Sequence, residues 1–342
     1  MYDEGTFSHP FFLGGYFILT GAVFSAVLIG SGMWLAWMAG YRRRNLCGDH
    51  SDYLVTRLPR PAQHWTIADF FLMFGTIIVV GSLASPLLNK PIAPTVGQAT
   101  EVAPAEQASN PEAIEPVESA QQPGVLPNQA GVPPVKMDLA KRVGIQMLAN
   151  ATSFLILLAF LHLARDATLE NLSLIPRLSD LRRGLVATVW ILAPVLLVNI
   201  AVSQLVEYKH SVTDLLAEKN SMRTFAALFL SAAVLTPIVE EFQFRLLLQG
   251  GLQKYFGDTS WQDDHPRFSY SSLAPLLVSS LVFAVMHLGQ GAAPIPLFFL
   301  ALGLGVVYQR TNRLWITIVV HMILNGATIT MEFCRLNSGF GG

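Results

Sequence analysis

The chain has 342 residues, 52% of them hydrophobic and only 13% charged, with a net charge of −1. Soluble domains carry about 25% charged residues, and the mean hydropathy is +0.46, so a membrane protein is expected. There is no basic excess to grip nucleic acid, and two cysteines, Cys47 and Cys334, do not make a disulfide framework.

A bilayer core of ~30 Å is crossed by about 20 apolar residues in a helix. In chain order, the apolar segments 11–40, 67–88, 143–164, 184–206, 224–249, 271–288, 292–308 and 314–334 predict an all-α polytopic fold of about eight transmembrane helices. The first is read as a retained helix. Its leading MYDEGTFSHP carries Asp3 and Glu4 and no Lys or Arg, whereas secretory signal peptides begin with positive charge. The seventh is short and contains Pro294 and Pro296, which makes it the weakest span and a candidate re-entrant segment.

Between the second and third spans the composition changes. Residues 89–135 hold nine prolines, five glutamates and no aromatic residue. Such a stretch buries too little apolar surface to offset its ordering entropy. The expected division is an N-terminal two-span hairpin over 1–88, a disordered linker over 89–140, and a six-span unit over 141–342. No internal repeat supports an inverted-repeat transporter.

Orientation follows from Lys and Arg. With the N-terminus outside, the inner loops hold 13 of these residues and the outer segments 8, led by Arg42, Arg43 and Arg44. The terminal Asn337 to Gly342 contains no eukaryotic retention signal. A bacterial cytoplasmic membrane is the expected location.

Ionisable groups inside a span cost roughly 2.5–3.5 kcal/mol each at the helix centre and mark functional sites by default. The fifth span breaks the rule with Glu240, Glu241 and Arg245, the sixth with His287, and the eighth with His321 followed by Asn325. Glu241 and Arg245 are i,i+4 and can pair on one face. Glu240, about 100° round the helix, is expected to face a different neighbour. Phe283 and His287, and His321 and Asn325, repeat the four-residue spacing. Three helices thus each offer a polar pair to one cavity. A carboxylate in an apolar cavity is a stronger base, and imidazole and carboxamide donors suit a developing oxyanion, so water-mediated hydrolysis is possible without a Ser or Cys nucleophile. His162 is read as structural, and Cys47 with His50 and His64 as a thin metal candidate.

At these residues the chain resembles the CPBP intramembrane proteases (the Abi family), which include the type II CAAX prenyl endopeptidases and bacterial immunity-type proteins. Their signature, EExxxR then FxxxH then HxxxN, reads here as Glu240 to Arg245, Phe283 to His287, and His321 to Asn325. The resemblance covers roughly 143–334. It implies an endopeptidase in which Glu240 and His287 activate water, His321 and Asn325 form the oxyanion hole, and Glu241, Arg245 and Phe283 support the site. It further implies a membrane-embedded or lipidated peptide substrate and no cofactor. A zinc site on Glu240, His287 and His321 is the minority alternative. The signatures HExxH, GxGD and GxSG of other intramembrane proteases are absent. A catalytically silent scaffold and a proton-coupled transporter are the competing functions. The sequence leaves the oligomeric state open.

One mismatch arises at this stage. At ~1.5 Å per residue, His287 lies about 24 Å from the inner end of its span, Glu240 about 15 Å and His321 about 10 Å. A common depth then requires a steeply tilted or shortened sixth span, or a break in the fifth near Pro237.

Overall fold

The computed structural model describes residues 9–47, 58, 63–88, 139–206, 211–257 and 270–339. Among these residues there are nine helices and no strand. They are α1 (His9–Cys47), α2 (Ile67–Leu88), α3 (Leu139–Arg165), α4 (Leu178–Ser203), α5 (Ser211–Glu218), α6 (Met222–Tyr255), α7 (Tyr270–Val285), α8 (Pro294–Thr311) and α9 (Leu314–Asn337). The fold is all-α and polytopic. The linker expected over 89–140 lies outside the described residues as far as 138, as does His50.

Six helices, α1, α2, α3, α4, α6 and α9, are long and apolar enough to cross a membrane. The protein is an integral membrane protein. The expected spans 271–288 and 292–308 correspond to the shorter pair, α7 with 16 residues and α8 with 18. Helix α7 is about 24 Å long, short of the ~30 Å hydrocarbon core.

Polar side chains fix several helix starts. Asp69 accepts from the backbone N–H of Thr66 at 2.7 Å and from its hydroxyl at 3.2 Å, capping α2. The same buried carboxylate pairs with Arg165 at 3.2 Å, which joins the start of α2 to the end of α3. Asp180 accepts from the Arg177 N–H at 3.1 Å. This starts α4 at Leu178, six residues before the expected span, because Asp180 is buried against Arg313 at the start of α9. Arg313 also donates to the Ile175 carbonyl at 2.8 Å. The two charges form a buried brace between helices far apart in sequence.

The first two helices do not pack as a pair. Helix α1 lies against α4 and α9, and α2 lies against α3 and α6. Phe12 meets the Phe333 ring edge-on at 5.5 Å, and Trp34 stacks on Trp190 at 4.8 Å while its Nε1–H donates to the Trp190 carbonyl at 2.9 Å. Each of the two helices thus finds its apolar partner on the later helices. Between α4 and α6 lies α5, whose Leu215 and Leu216 are buried in the same cluster as Phe12 and Phe333.

Helix α6 occupies the middle of the bundle, with α2, α3, α7, α8 and α9 around it. Every residue from Glu241 to Gln253 is buried. A helix enclosed on all sides can carry polar groups that a lipid-facing helix cannot.

Candidate functional site

The winding of α6 sets the site. Two stretches, Phe229–Leu235 and Phe242–Gly250, adopt the wider π-helical turn, flanking the α-helical Thr236–Glu241. Such turns recur at functional sites. In the first, the Thr236 N–H bonds the Ser231 carbonyl five residues back. One step further in that register, the Ala232 carbonyl needs the N–H of residue 237, which is Pro and has none. Asn325 of α9 supplies the missing donor, its Nδ2 donating to the Ala232 oxygen at 2.9 Å. The break expected near Pro237 is therefore absent. The helix continues by widening its turns and borrowing one hydrogen bond.

Glu241 and Arg245 pair as their spacing predicts. The Arg245 Nε–H donates to Glu241 Oε2 at 3.1 Å, and both side chains are fully buried. The other carboxylate oxygen, Oε1, accepts from His321 Nδ1 at 3.0 Å. Thr317, one turn before His321 on α9, is buried and donates its hydroxyl to the Leu314 carbonyl at 2.8 Å. With Nδ1 so engaged, the His321 ring turns Nε2 towards Glu240, whose Oε2 lies 3.7 Å away. Here the geometry corrects the expectation that Glu240 faces a different neighbour. Both glutamates face one imidazole, each through a different ring nitrogen. Glu240 is the more open of the two, with 19% of its side chain exposed against 0% for Glu241.

Helix α7 ends at Val285, so His287 sits in the turn that follows rather than in a span. Its Nδ1–H donates to the Phe283 carbonyl at 2.8 Å, which leaves Nε2 as the nitrogen available for chemistry. Gly289 at φ 99° lets the chain reverse directly behind it. His287 and His321 share the Phe283 ring as a neighbour. The depth mismatch disappears because α7 is short and places the histidine beyond its end.

Phe283 is the hub between these groups. Its ring is fully buried, with centroids 4.9 Å from His287, 6.1 Å from His321 and 5.1 Å from Phe244. The Arg245 guanidinium lies 5.5 Å from the same centroid, within range of a cation–π attraction.

Glu240, Glu241, Arg245, Phe283, His287 and His321 are thus gathered where α6, α7 and α9 meet. Asn325 stands one turn along α9, with its amide engaged at the π turn. Among the described residues, no three His, Cys, Asp or Glu side chains are grouped closely enough to hold a metal ion. His162, expected to be structural, faces the Ala167 carbonyl through Nδ1 at 3.2 Å. His64 faces the Arg165 carbonyl through Nδ1 at 3.1 Å.

The Asn325–Ala232 contact escaped the sequence reading, because no local spacing announces a π turn.

Residues 222–327 match the family model described as Rce1-like, Type II CAAX prenyl endopeptidase Rce1-like. All three sequence motifs fall inside the matched stretch, in support of the resemblance they suggested. The likeness is to a CAAX-type intramembrane protease. No curated protein and no solved structure matches the chain.

Proposed function

We propose that the protein is a glutamic-type intramembrane endopeptidase that cuts a membrane-associated peptide, with prenylated CAAX-type chains as the first substrates to test. The observation that carries this reading is His321 held between two glutamates, Nδ1 on Glu241 at 3.0 Å and Nε2 facing Glu240 at 3.7 Å. A purely structural Glu–Arg pair has no need of a second carboxylate beside the same ring.

In this mechanism Glu240 accepts a proton from water as the water oxygen attacks the scissile carbonyl, and His287 Nε2 orients that water. Negative charge develops on the carbonyl oxygen. Protonated His321 donates to it from Nε2, while its Nδ1–H stays on Glu241, so the ring does not need to reorganise. Asn325 contributes the second N–H of the nitrogen already bonded to Ala232. Glu240 then passes its proton to the amide nitrogen as the C–N bond breaks, giving a carboxylate and an amine. Arg245 and Phe283 hold Glu241 and the two imidazoles in register. We place the N-terminus outside and Arg42–Arg44 in the cytoplasm, as the distribution of Lys and Arg favours.

The test uses the full chain in lipid nanodiscs with farnesylated and unmodified CAAX peptides. Cleavage by wild type and none by Glu240→Gln supports the assignment. Full activity of Glu240→Gln overturns it, and equal cleavage of the unmodified peptides removes prenylation from the substrate class.

A further inference from the structure

The Glu241–Arg245 pair continues down α6 as a polar column, with Gln249 and Gln253 at successive i+4 positions, all four fully buried. The Arg245 Nε is satisfied by Glu241, but Nη1 and Nη2 have no hydrogen-bond partner within the protein. Two further buried groups nearby are also unpartnered, Gln249 Oε1 and Ser280 Oγ.

Their positions converge. Gln249 is anchored by its Nε2, which donates to the Gly305 carbonyl of α8 at 2.9 Å. Gly305 has no side chain to intrude, and a Cβ there would lie 3.0 Å from Gln249 Oε1 and collide with the Leu276 side chain of α7. Gln249 Oε1 therefore lies beside Leu276, while the Arg245 guanidinium lies beside Phe283. Leu276, Ser280 and Phe283 occupy i, i+4 and i+7 of α7 and share one face. Ser280 stands between the other two on that face and is fully buried, with its hydroxyl unpartnered.

We propose that Gln249 and Ser280 are positioning residues for Arg245, and that they act through ordered water bound between Arg245 Nη1 and Nη2, Gln249 Oε1 and Ser280 Oγ. Charge selects the occupant. Glu240 and Glu241 on the same helix repel an anion, and the guanidinium repels a cation, whereas a neutral donor–acceptor satisfies all three groups. A buried water makes about three hydrogen bonds to such groups, and an unsatisfied guanidinium inside a membrane carries a heavy desolvation penalty. The hydrated guanidinium keeps Glu241 on His321, so the site acts on the polar cluster without touching a substrate.

The test needs no substrate, so its outcome is independent of the proteolytic reading. The full chain, labelled with 15N-arginine, is placed in lipid bilayers, and magnetisation transfer from water is followed by solid-state NMR. The Arg245 signals are identified by their loss in Arg245→Lys. The expected result is transfer to the Arg245 Nη groups comparable to that of the exposed Arg177. Gln249→Leu or Ser280→Ala is expected to cut it by about half, since each removes one of about three water partners, and Ser280→Thr is expected to restore it. An Arg245 signal in wild type that receives no more transfer than the lipid-buried backbone overturns the proposal. That measurement alone is decisive if the variants fail to fold.

Discussion

Asn325 bonds the Ala232 carbonyl and is proposed to serve the oxyanion as well, and Pro237 provides the means to separate the two roles. Its Nδ2 donates to the Ala232 carbonyl at 2.9 Å because residue 237 has no N–H to give. Interhelical hydrogen bonds in membranes contribute about 0.6–1.7 kcal/mol, and an acceptor left unpaired costs about 1–3 kcal/mol. Asn325→Leu is therefore expected to cost about 1–2 kcal/mol. Pro237→Ala restores a backbone N–H in the register that Ala232 lacks. In that background Asn325→Leu is expected to cost at least about 1 kcal/mol less, a coupling measurable as a double-mutant cycle. The assay is equilibrium unfolding in mixed micelles titrated with SDS. Turnover behaves differently if the second N–H of Asn325 serves the oxyanion. The double variant then recovers stability but stays about 10²–10³-fold slow. A stability cost of Asn325→Leu that is the same with Pro237 and with alanine there refutes the borrowed-donor reasoning.

The adjacent glutamates should part company. Glu240→Gln is expected to be stable and inactive, whereas Glu241→Ala leaves Arg245 buried without its carboxylate and should lose about 3–5 kcal/mol by the same unfolding assay. Adding Arg245→Leu to Glu241→Ala should recover part of that stability, and no recovery would rule out an orphan charge as the cause. A strong chelator should leave peptide cleavage unchanged, and loss restored by zinc would make Glu240, His287 and His321 metal ligands instead. Single cysteines placed at 46 and at the exposed position 170 between α3 and α4 should react with a membrane-impermeant maleimide only after permeabilisation, and one at 110 should react before it. The opposite pattern reverses the orientation.

Apolar length and the four-residue spacing of charged groups carried most of what was legible beforehand. The long helices follow from hydropathy, and the Glu241–Arg245 pair follows from simple helical geometry because both ends lie on one chain segment. What was hidden depends on other segments or on departures from 3.6 residues per turn. Asp180 and Arg313 look like loop charges until α4 and α9 are side by side, where each neutralises the other. Glu240 seemed to face away from Glu241 because an angle on one helix says nothing about the width of the ring opposite. An imidazole presents nitrogens on two sides, so residues about 100° apart can grip the same ring. Helix α5 was too short for a hydropathy reading, and its Leu215 and Leu216 are buried against residues distant in sequence.

The complete enclosure of α6 between Glu241 and Gln253 bears on how the molecule is made. A helix with two glutamates and an arginine is a poor candidate for release into lipid by itself, at roughly 2.5–3.5 kcal/mol for each such charge. Its neighbours α2 and α3 precede it in the chain, but α7, α8 and α9 are synthesised after it. The charges become tolerable only when those later helices close round them, and α7 and α9 also bring His287 and His321. Shielding and assembly of the cluster are thus one event at the end of biogenesis. A chain truncated before α9 should be held at the insertion machinery or degraded, and no unfinished copy would carry an assembled cluster into the membrane.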